Sequence, residues 1–121
     1  VIEEFAEGLR YYWNTVSLDG DPIEALAEAY FQNRIAPAWF RPAKERRDFL
    51  LNLAKEFSVD GVIWYYLMYR DAYIIEASLF SRILKEATGL PMLKLESDYD
   101  AGELGAHRTR IETFLETLRR R

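Results

Sequence analysis

The hydrophobic and polar positions of this chain switch repeatedly between strand-like and helix-like patterns. Two segments, 9–16 and 62–68, are rich in β-branched and aromatic residues and predict strands, and a further short strand is predicted at 92–96. Apolar residues recur with helical spacing in four other segments and predict helices, at 21–31, 43–57, 71–88 and around 111–118. The intervening segment 34–42 contains two prolines and is predicted to be a loop.

The order of these elements indicates the fold class. Val62–Met68 is apolar throughout, which is typical of a central parallel strand covered on both faces. The order β-α-α-β-α-β-α predicts an α/β fold, a three-layer sandwich with a parallel, doubly wound sheet of the flavodoxin or Rossmann type. We expect residues 1–121 to form a single domain. Since the chain starts at Val1 within a helix-like segment, we expect it to be the C-terminal domain of a longer chain.

Local signals place the helix ends. Asp21 is a good N-cap and Pro22 suits the first helical position. Asp71 is the expected N-cap of the third helix, and Gly89 should end that helix in a left-handed conformation.

Composition and charge exclude several classes of protein. The 16 basic and 20 acidic residues are interspersed and give a net charge of −4, which argues against nucleic-acid binding. No apolar run approaches the roughly 18 residues that span a bilayer, so no membrane partner is expected. The chain has no cysteine and one histidine, which excludes disulfides, thiolate-held metals and multi-histidine sites within these residues. A cytoplasmic location is consistent with this cysteine usage.

The carboxyl ends of parallel strands are where such sheets bind ligands. This principle selects the segment Tyr69-Arg70-Asp71, after the central strand, and the segment 96–110, after the last strand. A charged pair directly after an apolar strand is costly to bury unless it is paired or faces a cleft. Asp71 has the simpler explanation of a helix cap, so Arg70 is the better site candidate.

Four carboxylates follow the last strand within eight positions: Glu96, Asp98, Asp100 and Glu103. Such a cluster suits a hard cation, but turn-forming aspartates and solvated charge explain it as well. Because the spacing fits no calcium-loop pattern, we assign no metal ligand here.

The start of the last helix carries His107, Arg108 and Arg110. Free backbone N–H groups and arginine side chains at a helix start favour a phosphate or carboxylate. The alternative is that one arginine pairs with nearby carboxylates while the other faces water, and that His107 is a capping or loop residue.

Several blocks of the sequence resemble the C-terminal part of the 2-hydroxyacyl-CoA dehydratase and benzoyl-CoA reductase family. The blocks recur with the family's spacing between about Leu9 and Leu118, and the most specific are the strand G-L-P-M-L-K-L-E-S-D and the helix R-T-R-I-E-T-F. The segments G-V-I-W-Y-Y-L-M-Y-R-D and L-E-S-D-Y-D are closest in wording to benzoyl-CoA reductase subunits.

The resemblance implies a subunit domain of an ATP-dependent, iron–sulfur enzyme that acts on a CoA thioester by low-potential electron transfer. It also implies a homologous partner subunit and an ATP-hydrolysing activator that donates electrons. On this basis the expected catalytic residues are Arg70 and Asp71. The expected substrate-binding residues are Glu96, Asp98, His107, Arg108 and Arg110. The fragment alone is expected to be inactive, because the family's site is shared between domains and subunits.

The sequence departs from the family pattern at two positions. Members often have a cysteine where this chain has Ala36, before Pro37, and another where it has Arg70, before Asp71. No cofactor is therefore expected within these residues, although a [4Fe–4S] cluster could be held in the full-length protein or its partner. The alternatives to a benzoyl-CoA reductase are a 2-hydroxyacyl-CoA dehydratase subunit and a cluster-free subunit that completes a heterodimer. A further alternative is an independent nucleotide- or anion-binding α/β module that shares only its fold with the family.

Overall fold

The computed structural model describes residues 13–33, 43–98 and 100–120. A single π-helical turn, Glu28–Gln32, extends the first helix, and a 3₁₀ turn, Ala101–Glu103, precedes the last one. The regular elements in chain order are α1 (Pro22–Ala27), α2 (Ala43–Glu56), β1 (Val62–Leu67), α3 (Asp71–Thr88), β2 (Met92–Ser97) and α4 (Leu104–Arg119).

The chain divides into two compact units, residues 1–46 and 47–121. In the first unit, Asp21 Oδ1 accepts hydrogen bonds from the backbone N–H groups of Ile23 (2.8 Å) and Glu24 (3.0 Å). Pro22 occupies the first turn, so the predicted helix start is confirmed. Ala25 is buried in this unit, whereas the side chains of Ile23 and Phe31 are exposed.

Two predicted segments fall partly or wholly outside the described residues. The strand predicted at 9–16 is described only from Trp13 to Val16, where the backbone bends and forms no strand. The loop predicted at 34–42 lies outside the described residues.

The second unit contains the parallel strands and the helix that connects them. β1 and β2 pair in register from Val62 beside Met92 to Leu67 beside Ser97, and α3 is the crossover between them. The described part of the chain is thus a mixed helix and strand fold with a two-stranded parallel sheet. The bounds of α2, β1, α3 and β2 agree with the predicted ones to within one residue, and the last predicted helix, with its apolar stripe at 111–118, is confirmed as α4, which begins at Leu104.

A large part of the core of the second unit lies between α3 and one face of the sheet. Ala77, Phe80 and Leu84 of α3 are fully buried, and the Trp64 ring of β1 meets the Phe80 ring edge-on, with centroids 5.6 Å apart. Side chains alternate along a strand, so Tyr65 points to the opposite face. There its ring lies edge-on to His107 of α4, at a centroid distance of 6.3 Å.

β1 is not covered on both faces in the way its apolar run predicts. Ile63 and Tyr65 retain 43% and 56% of their exposure. α4 reaches this side of the sheet at Tyr65 and at Gly61, just before the strand, and leaves the side chains between them half open. An apolar strand can be buried on both faces, but how fully each face is buried depends on where the neighbouring helices pack.

Both ends of α3 were predicted from local sequence signals, and the structure confirms one of the two predictions. Gly89 has φ +73° and its N–H donates to the carbonyl of Lys85, as the predicted C-terminal stop requires. At the other end the expected N-cap is wrong by one residue: Arg70 is the cap and Asp71 is the first helical residue. The tight turn after β1 already places Arg70 at the cap position, with non-helical backbone angles, so the helix begins one residue earlier than the capping preference predicts.

None of the helices within the described ranges is long and apolar enough to cross a membrane.

Candidate functional site

The carboxyl ends of β1 and β2 lie level with each other. Leu67 pairs with Ser97, and the Met68 N–H donates to the Ser97 carbonyl at 2.8 Å. The two segments that follow, 69–71 and 98–103, therefore leave the sheet from one edge. We call this edge the carboxyl edge.

The first of these segments is a tight turn. The Arg70 N–H donates to the Leu67 carbonyl at 3.3 Å, and Tyr69 inside the turn has φ +64°. The Arg70 carbonyl starts α3 by accepting from Tyr73 and Ile74. The side chains of Arg70 and Asp71 are exposed and form no hydrogen bond or ion pair within the described part of the chain. Arg70 thus presents an uncompensated guanidinium at the carboxyl edge.

In the acidic segment after β2, aspartate carboxylates accept hydrogen bonds from nearby backbone N–H groups. Asp98 Oδ1 accepts from the Asp100 N–H at 2.6 Å, and Asp100 Oδ1 accepts from the Gly102 N–H at 2.9 Å. These aspartates therefore act as turn formers. Across the described ranges, no group of three or more His, Cys, Asp or Glu side chains is arranged to hold a metal ion.

Two of the predicted substrate-binding residues instead secure the outer edge of β2. The carbonyls of Pro91 and Ser97 accept from β1, so the carbonyls of Lys94 and Glu96 point the other way. Arg110 Nη2 donates to the Lys94 carbonyl at 2.7 Å, and His107 Nε2 donates to the Glu96 carbonyl at 3.1 Å. α4 thereby supplies side-chain partners to an edge that would otherwise face solvent or another strand.

Arg108 lies on a different side of α4. Its Nε donates to Glu112 Oε1 at 2.8 Å, one helical turn along, and its side chain is 80% exposed. The structure thus separates the three basic residues that the sequence groups together: Arg110 and His107 hold β2, while Arg108 pairs along the helix surface. Arg108 thus pairs with a carboxylate, as one half of the alternative has it, whereas Arg110 donates to a backbone carbonyl and does not simply face water.

The start of α4 is less open to an anion than the sequence suggests. A 3₁₀ turn runs directly into the helix, and the Leu104 N–H donates to the Ala101 carbonyl. Glu103, the N-cap residue, places its carboxylate 3.8 Å from His107 Nε2. A carboxylate in this position already complements the positive end of the helix dipole.

Tyr66 lies in the polar cluster that also contains Glu96, His107 and Arg110, although the sequence analysis did not select it. Register places Tyr66 beside Glu96, and the Tyr66 hydroxyl donates to Glu96 Oε2 at 3.4 Å. Burial raises the pKa of Tyr66 above its ordinary value of 10.0, and the charge and hydrogen bond of Glu96 raise it further, while Arg110 lowers it. Only the strand register could have revealed this pair.

The phenol offers a direct test of the cluster. We expect Glu96→Gln to lower the pKa of Tyr66, because it removes the carboxylate charge while burial remains. The measurement is NMR titration of ring-labelled tyrosine, with Tyr66→Phe to assign the signal and Glu116→Gln as a matched control. A Tyr66 pKa that is identical in wild type and Glu96→Gln contradicts this contact.

The raised pKa of Tyr66 also makes the stability of the fold depend on pH. Because the folded state holds the Tyr66 proton more tightly, the unfolded state loses its proton first as the pH rises. This contribution to stability is complete below about pH 10 and is lost above it, as the pH rises through the folded-state pKa. The same loss should be smaller in Tyr66→Phe.

Together these features describe a mixed helix and strand protein whose two parallel strands carry an exposed arginine turn and a polar cluster at and beside the carboxyl edge. The sequence model of the family described as 2-hydroxyglutaryl-CoA dehydratase, D-component, matches residues 1–118, and the chain belongs to this family. This confirms the resemblance to 2-hydroxyacyl-CoA dehydratases.

Two curated relatives extend the comparison. The chain is 29% identical over 115 residues to the Escherichia coli K12 protein named "Putative dehydratase subunit YjiM", across 95% of this chain and 30% of the relative. It is 28% identical over 116 residues to the (R)-phenyllactyl-CoA dehydratase beta subunit of Clostridium sporogenes, across 96% of this chain and 30% of the relative. The chain thus spans about a third of the length of the relatives it matches.

The names of these relatives bear on the choice between the dehydratase and benzoyl-CoA reductase interpretations. Both carry the name of a dehydratase subunit. They therefore support the dehydratase alternative better than the benzoyl-CoA reductase interpretation, to which the wording of the central strand pointed.

Proposed function

We propose that this chain acts as part of a 2-hydroxyacyl-CoA dehydratase subunit, with the carboxyl edge facing the CoA thioester. The family match over residues 1–118 carries the proposal, and the names of both relatives agree with it. The geometry adds a reason for the orientation: Arg70 offers an exposed positive charge at the edge where α/β sheets bind ligands.

Arg70 has the properties that the proposed reaction requires. Dehydration of a 2-hydroxyacyl thioester breaks the C2–O bond and removes a proton from C3, which gives a 2-enoyl thioester and water. Negative charge that develops on the thioester carbonyl, or is present on the phosphates of CoA, is stabilised by a fixed cation. We assign this role to Arg70, with Asp71 beside it as the second catalytic candidate.

The other predicted substrate-binding residues act mainly through the scaffold. His107 and Arg110 hold the outer edge of β2, and the side chain of Asp98 fixes the turn after it. Glu96 is engaged by Tyr66, and Arg108 by Glu112. We infer that these residues position the carboxyl edge, and that substrate contact falls mainly to the turn at 69–71.

The expected iron–sulfur cluster does not fit the donor groups of this chain. The 121 residues contain no cysteine, so they supply no thiolate ligand. We propose that any [4Fe–4S] cluster is held by residues outside these 121, in the rest of the protein or in a partner subunit. The proposed partners are a homologous subunit and an ATP-hydrolysing activator that donates electrons.

We also infer that β1 and β2 belong to a larger, doubly wound parallel sheet in a three-layer sandwich. Two contacts support this arrangement. Phe80 of α3 meets Trp64 on one face of β1, and His107 of α4 meets Tyr65, which points to the other face. Helices on both faces are the hallmark of such sheets.

The absence of cysteine favours a second candidate function. A cluster-free subunit that completes a heterodimer with a catalytic sister chain needs no thiolate ligands in these residues. In that case the carboxyl edge of this chain would contact the partner and not the substrate.

The proposed activity is tested on the complete complex of subunit, partner and activator under anaerobic conditions. We expect loss of water from an (R)-2-hydroxyacyl-CoA such as (R)-phenyllactyl-CoA, and no reduction of benzoyl-CoA. Consumption of benzoyl-CoA without dehydration of any 2-hydroxyacyl-CoA would restore the reductase interpretation.

Arg70→Ala separates the two candidate functions. If Arg70 contacts the thioester, its loss should lower kcat/KM by about tenfold to a hundredfold, the typical effect of a hydrogen bond to a charged group. Arg119→Ala, at the exposed far end of α4, is the matched control and should keep wild-type kinetics. Wild-type kinetics for Arg70→Ala, with subunit association intact, would exclude Arg70 from the site and favour the structural subunit.

A further inference from the structure

Tyr69 has a backbone conformation that its side chain disfavours. Its φ of +64° lies in the left-handed region, which glycine adopts freely and a bulky aromatic residue rarely does. Such outliers persist where the surrounding structure enforces them, and they cluster at ligand-binding sites. The turn that enforces this one is closed by the hydrogen bond from Arg70 to Leu67.

The ring of Tyr69 makes no visible contribution to the fold. The residue is 87% exposed, and its hydroxyl forms no hydrogen bond within the described residues. Glycine at this position would relieve the backbone without loss of a buried contact. Folding therefore explains why a tight turn forms here, but it does not explain why a tyrosine occupies this position.

The position of the ring points to a ligand. Tyr69 lies at the carboxyl edge between Met68, which is 39% exposed, and the exposed cation of Arg70. An exposed aromatic residue between an apolar residue and a positive charge suits a ligand that joins an apolar group to anionic groups, as an acyl-CoA does.

We propose that the Tyr69 ring packs against the acyl group of the thioester and favours large, flat acyl groups over small ones. The proposal rests on the proposed function and deepens it, since it assigns the acyl specificity to one side chain. Tyr69 is thus a specificity-determining residue of the carboxyl edge, beside Arg70.

Ser58 provides a matched control for the backbone. Among the described residues other than glycine, Ser58 and Tyr69 have positive φ, and Ser58 has φ +48° in the turn that follows α2. This turn precedes β1, so it is separated from the carboxyl edge by the length of the strand. Glycine at either position relieves the same kind of strain, but only Tyr69→Gly removes the proposed contact.

The experiment compares Tyr69→Gly, Tyr69→Phe and Ser58→Gly in the complete enzyme complex. The probes are (R)-phenyllactyl-CoA, lactyl-CoA and CoA itself, and the thermal midpoint is measured in parallel. We expect Tyr69→Gly to raise the KM for (R)-phenyllactyl-CoA by about tenfold or more, as loss of a buried aromatic contact does. Lactyl-CoA kinetics and CoA affinity should change little, while Tyr69→Phe and Ser58→Gly should resemble wild type and both glycine variants should keep or raise the midpoint.

Each other outcome overturns the proposal in a distinct way. An unchanged KM for Tyr69→Gly shows that the ring does not touch the acyl group. Equal losses for CoA and both thioesters place the ring on the nucleotide, and a lowered midpoint for Tyr69→Gly gives the ring a structural role. A wild-type complex that binds neither thioester overturns the proposed function itself, which is separable from failure at Tyr69 alone.

Discussion

Replacing Phe80 with alanine is expected to lower the free energy of unfolding by about 3–5 kcal/mol, the usual cost of truncating a fully buried phenylalanine. Phe80 is 0% exposed, and its ring meets the Trp64 ring edge-on at 5.6 Å. The truncation removes apolar burial, leaves a cavity between α3 and β1, and loses the aromatic pair.

Urea denaturation of the protein, followed by tryptophan fluorescence, measures this effect. Ile75→Ala on the same helix is the matched control, because Ile75 is 66% exposed and should change the stability by less than about 0.5 kcal/mol. Equal midpoints for the two variants would show that α3 does not pack on Trp64 as described.

Gly61→Val is expected to destabilise the protein by about 1–3 kcal/mol through overpacking. A Cβ atom at Gly61 would lie 2.9 Å from Phe114 Cζ and 3.2 Å from a methyl carbon of Leu118. The side chain of valine extends further into this contact, so the Phe114 and Leu118 side chains must leave their positions or α4 must shift away from the start of β1. The backbone of Gly61 does not have a positive φ, so the lack of space is the whole reason for the effect.

The same substitution at Gly105 is the control. A Cβ atom there meets no neighbour within 4 Å, and Gly105 lies in the first turn of α4. Gly105→Val should therefore be neutral within about 0.5 kcal/mol. A second variant, Gly61→Val with Phe114→Leu, should recover part of the loss because it shortens the side chain that blocks the space; no recovery would contradict the steric cause.

The elements of the second unit follow closely from local sequence rules. Residues 71–88 combine helical spacing with Gly89, and the backbone of Gly89 does adopt the left-handed angle that ends the helix. The strand at 62–68 was predictable from its run of β-branched and aromatic residues. These features depend on interactions within a few residues, and for this reason the sequence reveals them.

The polar groups behave differently because their roles depend on distant partners. His107, Arg108 and Arg110 are close in sequence, yet the helix turns them toward different neighbours. Tyr66 entered the cluster only because the register sets it beside Glu96, which is thirty positions away. The left-handed angle of Tyr69 could not be predicted either, because residues of this kind avoid it.

The sequence by itself determined the helices and strands of the second unit, the parallel carboxyl edge and the combined 2-hydroxyacyl-CoA dehydratase and benzoyl-CoA reductase family, because hydrophobic periodicity, turn residues and motif spacing are local. Only the tertiary structure decided which charges are engaged and which stay free. It assigned Arg110 and His107 to the edge of β2, paired Arg108 with Glu112, and left Arg70 exposed beside Tyr69. The physical reason is that hydrogen bonds and ion pairs form between groups that folding brings together, and the distance along the chain does not report that approach.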